Sequence, residues 1–151
     1  MIDDILWEFR MPSMTTFRSV VDPAACDFLG HMNVSRYFAA CSDGVFCIQS
    51  EMGLTANDMR TGRRLSFAVV HAESEFKAEL SAGDAIRLDT SIVEIGSKSI
   101  TFRHCLVRSE DNTVAFETIF KCVMLNLETR RAADIPEDVR KKAMSWLDAP
   151  T

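Results

Sequence analysis

The chain has 151 residues, 47% of them apolar, and a formal net charge of −5 at neutral pH. This length and composition favour one globular domain, residues 1–151. The negative charge argues against nucleic acid as a principal partner. No apolar run approaches the roughly 20 residues that a membrane span needs, and the acidic start at Asp3 and Asp4 is unlike a signal peptide. We therefore expect a cytoplasmic protein with no membrane partner.

The cysteines and the missing motifs limit the chemistry further. No cysteine pair has C-x-x-C spacing, the count is odd, and most fall inside predicted helices or strands: Cys26, Cys41, Cys47, Cys105 and Cys122. They are therefore predicted to be small reduced core residues. The sequence also lacks metal-ligand spacing, a G-x-S-x-G elbow and a glycine-rich phosphate loop. We expect neither a metal nor a prosthetic group.

The first secure element is a strand. Residues 1–13 form a short lead-in, and threonine, phenylalanine and valine then indicate a strand from Met14 to Val21. Asp22-Pro23 breaks this strand. From Asn33 onward the apolar residues follow helical spacing as far as Met52. Asn33 is a good N-cap, and Gly53 stands where a C′ glycine belongs.

This predicted helix is unusually apolar. Its polar residues are confined to a narrow stripe that repeats every seven positions: Ser35, Arg36, Ser42, Asp43, Gln49 and Ser50. A helix of this kind is predicted to be buried over most of its circumference. At about 19 residues and 1.5 Å per residue it would be about 28 Å long, enough to cross a whole sheet.

The rest of the chain is predicted to be mostly strand and turn. A short helix from Leu54 to Thr61 is followed by four strands: Ser66–Leu80, Ala85–Ile95, Ser99–Arg108 and Thr113–Asn126. The first is long enough to need a bend, and the second should contain a bulge, because its apolar positions switch parity between Ile92 and Val93. Pro136 to Trp146 should form a final helix. Short turns between strands give an antiparallel sheet and an α+β fold.

One stretch carries the clearest chemical signal, and it runs from Asp27 to Tyr37 with the sequence DFLGHMNVSRY. It places a carboxylate in a loop that ends at the N-terminus of the long helix. The carboxylate can act as a base or a nucleophile, and the first-turn N–H groups can stabilise a developing oxyanion. Together they suggest acyl transfer to water.

The same stretch resembles a known family. Asp27, Gly30, His31, Asn33 and Tyr37, preceded by a strand and a proline, are similar to the opening motif of hot-dog-fold acyl-CoA thioesterases of the 4-hydroxybenzoyl-CoA thioesterase type. The likeness extends over roughly residues 16–136, including the Gly83-Asp84 turn. It implies an antiparallel sheet wrapped around one long central helix. It also implies active sites at the interface of a homodimer, or of a dimer of dimers.

The resemblance also implies roles for individual residues. Asp27 would attack the thioester carbon or activate water, while the Val34 N–H polarises the carbonyl. His31 would organise the loop, contact the substrate or act as a base, and the first of these is favoured. Asn33 would cap the helix and orient Asp27 or the attacking water. Gly30 and Tyr37 would line the substrate site, although core packing is the simpler role for Tyr37.

Further candidates lie outside this stretch. Because CoA is polyanionic, its phosphates need local positive charge, which four residues could supply: Arg60, Arg63, Arg64 and Lys98. Any one of them could equally be a solvated surface charge. Glu73 and Glu75 share a strand face with His71, and other branches of the fold use a catalytic glutamate, but an exposed strand face is the simpler interpretation. His104 alternates with Phe102 and Leu106, which predicts a semi-buried histidine with its hydrogen bonds satisfied.

The most consistent hypothesis is hydrolysis of an acyl-CoA thioester to free acid and CoA. A hydratase or dehydratase on the same fold is an alternative, but that class resembles an Asp and a His five residues apart with Asn-Pro between them. Here His31 follows Asp27 by four residues without Asn-Pro. A non-catalytic acyl-thioester-binding protein is a second alternative.

Overall fold

A computed structural model describes residues 12–148, so the predicted lead-in of residues 1–13 lies almost wholly outside the described part. Five strands form one antiparallel sheet: β1 (Met14–Val20), β2 (Leu65–Phe76), β3 (Ala85–Ile95), β4 (Ser99–Arg108) and β5 (Thr113–Asn126). Their spatial order is β1-β3-β4-β5-β2. The bounds of β3, β4 and β5 confirm the sequence prediction, and β2 is an edge strand.

Two register shifts bend the sheet where the sequence indicates irregularity. In β3 the pairing with β4 shifts between Ile92 and Glu94, which confirms the bulge expected from the parity switch. In β2 the pairing with β5 shifts between Val69 and His71. The strand ends at Phe76, four residues before the expected end, because the backbone leaves the ladder there and the N–H groups of Lys77 and Ala78 both bond to the carbonyl of Ala115.

The long helix α1 (Val34–Glu51) has 18 residues and lies against the sheet. Asn33 caps it as predicted, because its Oδ1 accepts the Ser35 N–H at 3.0 Å. Gly53 follows the C-cap with a φ of +100°, a left-handed conformation that favours glycine. Helix and sheet approach closely at Gly44, where an added Cβ would lie 2.6 Å from Leu88 Cδ2.

The burial of α1 differs from the sequence prediction in two ways. Only part of the helix surface is buried within the described chain: Val34 and Phe46 are 50% and 47% exposed, and Phe38 packs on the sheet but is still 37% exposed. Gln49, which was expected in the polar stripe, is completely buried. Its Oε1 accepts the Phe67 N–H at 2.9 Å and its Nε2 donates to Ser66 Oγ at 3.2 Å. These bonds to β2 offset the cost of burying the amide.

The sheet has an inner face toward α1 and an outer face. Phe102, Leu106 and Phe116 point inward and are fully buried. The remaining elements are the short helix α2 (Ala56–Arg60), the helix α3 (Glu137–Ala143) and 3₁₀ turns at Pro23–Ala25 and Met144–Trp146. None of the helices between residues 12 and 148 has the length and apolar character that a membrane crossing requires.

All five cysteines are free thiols, in agreement with the sequence prediction. Burial raises the pKa of Cys41 and of Cys122 to about 12. Both are therefore protonated at neutral pH and behave as small core residues.

Candidate functional site

The loop before α1 holds Asp27 by both carboxylate oxygens. Asp27 Oδ1 accepts the Leu29 N–H at 2.8 Å, and Oδ2 accepts from Asn33 Nδ2 at 2.8 Å. The Gly30 N–H bonds to the Asp27 carbonyl at 3.0 Å, which closes a tight turn in which Gly30 has a φ of +87°. The sequence DFLG forms this turn because the aspartate side chain accepts the backbone N–H two residues further along, and because glycine tolerates the positive φ.

These contacts fix the charge state of Asp27. The Asn33 amide, the Leu29 N–H and, to a smaller degree, His31 lower the pKa of the Asp27 carboxyl below its usual value. Hydrogen bonds to the charged form favour that form. Asp27 is therefore a carboxylate anion at neutral pH, ready to attack an electrophile or to accept a proton from water.

The start of α1 is anchored beside this carboxylate. The Asn33 N–H bonds to the Ala25 carbonyl at 2.9 Å, and the Met32 N–H bonds to the Leu80 carbonyl at 2.7 Å. Asn33 also accepts from the N–H groups of Ser35 and Arg36, but within residues 12–148 the Val34 N–H has no acceptor. An unused N–H at a helix N-terminus favours negative charge on a nearby oxygen.

His31 lies next to a carboxylate that sequence reasoning missed. His31 Nε2 is 3.3 Å from Glu79 Oε1, and the backbone of His31 accepts the Asp27 N–H at 3.1 Å. His31 thus holds the loop through its backbone carbonyl, a bond that any residue could make, and the organising role of its side chain stays a prediction. The sequence did not identify Glu79 as a candidate site residue, because it lies in the segment predicted to be the end of a strand.

Tyr37 is part of the core near the site. It is buried, and its ring centroid is 5.2 Å from those of Phe76 and Phe116. Burial raises the pKa of Tyr37, so its hydroxyl stays neutral. These contacts fit the packing role, and Tyr37 belongs to the aromatic cluster described next.

An aromatic cluster joins the N-terminal half of α1 to the inner face of β2 and β5. Phe38 on α1 and Phe76 on β2, which are 37% and 52% exposed, are in edge contact at a centroid distance of 6.5 Å. They cover Phe116 and Phe120 on β5, whose ring centroids lie 5.5 and 6.4 Å from that of Phe38. Periodicity predicted the helix and the strands that carry these residues, but it could not show that their side chains meet.

The glutamates considered as alternative catalytic groups lie elsewhere. Glu73 and Glu75 pair with Ile119 and Glu117 of β5, on the outer face of the sheet, whereas the inner face carries Phe116 and Phe120. Both glutamates are exposed. They line a polar depression of about 250 Å³ with Lys77 and Glu117, two side chains that pair with each other at 2.9 Å. The sheet separates them from Asp27, as the exposed-face interpretation requires.

The predicted cationic residues lie far from Asp27 within one chain. Arg63 donates to Asp138 at 2.9 Å, to Asp58 at 3.3 Å and to the Gly53 carbonyl at 3.0 Å. Gly53 follows the C-terminal end of α1, which is about 27 Å from the N-terminal end for 18 residues at 1.5 Å each. The structure therefore does not bring Arg63 to the Asp27 loop.

The other three cations lie at the same end of the sheet as Arg63. Arg64 donates to the carbonyls of Met59 and Arg60 at 2.8 and 3.2 Å, which completes the end of α2. The Lys98 carbonyl accepts the Met124 N–H in the turn between β3 and β4, near the start of β2.

His104 differs from its sequence prediction. It is fully buried instead of semi-buried, and only one of its two ring nitrogens is satisfied. Nδ1 lies 2.8 Å from Thr90 Oγ1, whereas Nε2 has no hydrogen-bond partner within residues 12–148. Alternation along β4 placed the residue on the inner face but could not show its neighbours.

The chain is similar to known proteins along most of its length. A family model described as the thioesterase-like superfamily matches residues 21–143. No curated protein matches the chain. Among solved structures, the hypothetical protein SAV2348 of Staphylococcus aureus, solved in complex with CoA, has a TM-score of 0.81 and 20% identity, and the match covers 92% of this chain and 89% of that one.

Two further similar structures are those of thioesterases that act on aromatic CoA esters. Slr0204 from Synechocystis, a 1,4-dihydroxy-2-naphthoyl-CoA thioesterase, has a TM-score of 0.75 and 18% identity over 90% of this chain and 98% of its own. BH1999, a gentisyl-coenzyme A thioesterase, has a TM-score of 0.73 and 23% identity over 84% and 98%. At these identities the likeness shows that the hot-dog fold is shared.

Proposed function

Because the chain belongs to the thioesterase-like superfamily, we propose that it hydrolyses an acyl-CoA thioester to the free acid and CoA. The observation that carries this proposal is the position of the Asp27 carboxylate: Asn33 Nδ2 holds it at 2.8 Å, and the same Asn33 caps the helix that begins at Val34. A fixed anion next to an oxyanion donor is what acyl transfer to water requires. That SAV2348 was solved with CoA supports CoA as the thiol carrier.

Two mechanisms fit this geometry. As a base, Asp27 takes a proton from water while the water oxygen attacks the thioester carbon. As a nucleophile, Asp27 attacks that carbon itself, and water then hydrolyses the resulting anhydride. In both routes the carbonyl oxygen gains negative charge facing the Val34 N–H, the C–S bond breaks, and CoA leaves as the thiolate.

We further propose that the active protein is a homodimer that pairs through β2. β2 pairs with β5 along one edge, and its other edge has no neighbouring strand within the described chain. Val69, Val70 and Phe76 are exposed on this strand. A long apolar edge strand is normally covered, because its unpaired backbone invites association. A second copy placed there would also cover the exposed parts of Phe38 and Phe76 and, on α1, Phe46.

Dimerisation would bring the cations of one subunit close to Asp27 of the other, although the two are far apart within one chain. β2 begins next to Arg64 and ends at Phe76, which packs on Tyr37 near the start of α1. Antiparallel pairing about a two-fold axis reverses the second strand. The cationic end of one subunit would then approach the Asp27 loop of the other. Arg60 and Lys98 are the better candidates for binding CoA phosphates, since Arg63 already faces two carboxylates.

A hydrolysis screen tests the proposed function. Purified protein is given short-chain, branched, aromatic and long-chain CoA esters, and the released thiol is measured. We expect turnover of at least one ester class well above the rate without protein. Tight CoA-ester binding without thiol release would instead favour the non-catalytic binding protein, and water addition to an enoyl-CoA would favour the hydratase.

A further inference from the structure

His31 stands opposite Asp27 across the tight turn that precedes α1. The Asp27 N–H donates to the His31 carbonyl at 3.1 Å, and Cys26 and Met32 form an antiparallel bridge just outside this bond. Side chains at opposite positions of an antiparallel pair project to the same side. The pKa of the Asp27 carboxyl is lowered chiefly by the Asn33 amide, and the charge of His31 adds to this effect. The imidazole and the carboxylate are therefore neighbours.

Glu79 meets the His31 ring from the segment between β2 and β3. Glu79 Oε1 lies 3.3 Å from His31 Nε2, and the Glu79 side chain is exposed. Its backbone is nevertheless fixed, because the Glu79 carbonyl accepts from Arg108 Nη1 at 3.3 Å. The next carbonyl, that of Leu80, accepts the Met32 N–H at 2.7 Å. These bonds hold Glu79 in place relative to the turn that carries His31.

The contact with Glu79 decides which ring nitrogen of His31 carries the hydrogen. An ionised carboxylate accepts hydrogen bonds and cannot donate them. At 3.3 Å, Glu79 Oε1 therefore favours the tautomer with the hydrogen on Nε2. Nδ1 then keeps its lone pair and can accept a proton. A carboxylate that orients an imidazole in this way is the arrangement that makes histidine a base in hydrolytic triads.

Hydrolysis through an anhydride needs two groups, and Asp27 can be only one of them. Once Asp27 has attacked the thioester carbon, its oxygen is part of the anhydride and no longer takes a proton from water. The water of the second step needs another base, and histidine is suited to this task near neutral pH. Of the three histidines, His71 is exposed on β2 and His104 is buried on β4, so His31 is the one beside Asp27.

We propose that Glu79 is a positioning residue that holds His31 as the base for the second half of the reaction. This inference rests on the proposed function and assigns the nucleophilic route to Asp27. In the first step Asp27 attacks the thioester carbon, the C–S bond breaks and CoA leaves as the thiolate. In the second step water attacks the acyl carbon of the anhydride and gives a proton to His31 Nδ1. The bond from this carbon to the Asp27 oxygen breaks, which releases the free acid and restores the carboxylate, and the proton passes from His31 to solvent.

Separate measurement of the two steps tests the proposal. Loss of the thioester is followed by its ultraviolet absorbance after rapid mixing with the most reactive CoA ester. The second step should slow about tenfold in Glu79→Gln and about 10²-fold in His31→Gln, while the first step stays near wild type. Acylated protein should therefore accumulate during turnover. It is detected as a burst of thioester loss and as the added mass of the acyl group in rapidly quenched samples.

A double variant shows whether Glu79 acts through His31. If it does, the variant that combines His31→Gln with Glu79→Gln should be no slower than His31→Gln alone, because positioning has no value once the base is gone. Glu79→Gln should melt close to wild type, since an exposed ion pair contributes little to stability. Glu128→Gln, which alters an exposed carboxylate in the turn after β5, is the matched control and should leave both steps unchanged.

The outcomes separate this inference from the proposed function. If wild type hydrolyses esters but neither single variant accumulates acylated protein, the assignment to Glu79 and His31 is wrong and the proposed function stands. Equal slowing of both steps in Glu79→Gln, or additive effects in the double variant, would also overturn the assignment, because Glu79 would then not act through His31. If wild type hydrolyses no ester, the proposed function fails and this inference fails with it.

Discussion

Asn33 Nδ2 lies 2.8 Å from Asp27 Oδ2, while the other side-chain atom of the same residue, Oδ1, caps α1 by accepting the Ser35 N–H. One amide thus joins the helix N-terminus to the candidate catalytic carboxylate. The Asn33 side chain therefore couples the position of the helix start to that of the Asp27 carboxylate. Asn33 therefore has two separable functions, and substitutions can distinguish them.

Asn33→Ser should keep the cap and lose the bond to Asp27, because serine caps helices nearly as well as asparagine. We expect a melting temperature close to wild type and a kcat lowered roughly tenfold to a hundredfold, since small displacements of a reacting group are costly. The pKa of Asp27 should rise without its Asn33 partner, which moves the acid limb of the pH profile upward. A kcat equal to wild type would contradict the positioning role.

The start of α1 could be predicted because its cause is local. Asn33 is followed by helical spacing, so the cap needs no information from distant residues. The turns and alternation of β3 to β5 are equally local. The bond from Asn33 to Asp27 was anticipated for a similar reason, since six residues separate the two.

The buried state of Gln49 and the pairing of His104 with Thr90 could not be predicted. Both depend on which strands become neighbours and in which register. Helical periodicity assigned Gln49 to a polar stripe, but its partner is the backbone of Phe67 on the edge strand. The separation of Arg63 from Asp27 likewise follows from the path of the chain and not from any motif.

Acid should destabilise the protein through His104. Burial lowers the pKa of His104 to about 3, against 6.5 for an unperturbed histidine. Between these values the unfolded state binds a proton that the folded state excludes, so stability falls as pH falls from about 6.5 toward 3. The slope from this one group is about 1.4 kcal/mol per pH unit. Urea unfolding from pH 7.5 to 4 measures it.

The variant His104→Gln isolates this contribution. Its free energy of unfolding at pH 7 should be lower than wild type, but its dependence on pH should be shallower. His71→Gln is the matched control, since His71 is exposed on β2, and it should retain the wild-type slope. Equal slopes for His104→Gln and wild type would show that His104 titrates normally.

Removing positive charge at Arg60 or Lys98 should weaken CoA binding. In Arg60→Gln and Lys98→Gln we expect KM to rise more than kcat falls, because phosphate contacts bind ground and transition states alike. Added salt should reduce the difference from wild type. Arg63→Gln should instead lower the melting temperature, since Arg63 joins α2, α3 and the end of α1. Unchanged KM in all three variants would place the nucleotide elsewhere.

Pairing through β2 should be disrupted by a charge at its exposed bulge. Val70 is 60% exposed at the register shift between Val69 and His71. Val70→Lys should therefore fold normally but shift sedimentation from dimer toward monomer, because a lysine on an edge strand opposes strand addition. Glu110→Lys, in the turn between β4 and β5, is a control that should sediment as wild type. A wild-type protein that is monomeric at micromolar concentration would rule out the dimer.

The central claim is that Asp27 is the catalytic carboxylate, and Asp27→Asn tests it most directly. Asparagine nearly matches aspartate in shape, so Oδ1 can still accept the Leu29 N–H while the charge is lost. Glu73→Gln and Glu75→Gln on the outer face are the matched controls. With the most reactive CoA ester, we expect kcat of Asp27→Asn to fall about 10²- to 10⁴-fold, with substrate still bound and both controls near wild type. Near wild-type turnover by Asp27→Asn, with loss of turnover in Glu73→Gln or Glu75→Gln, would contradict the claim and place the catalytic carboxylate on β2.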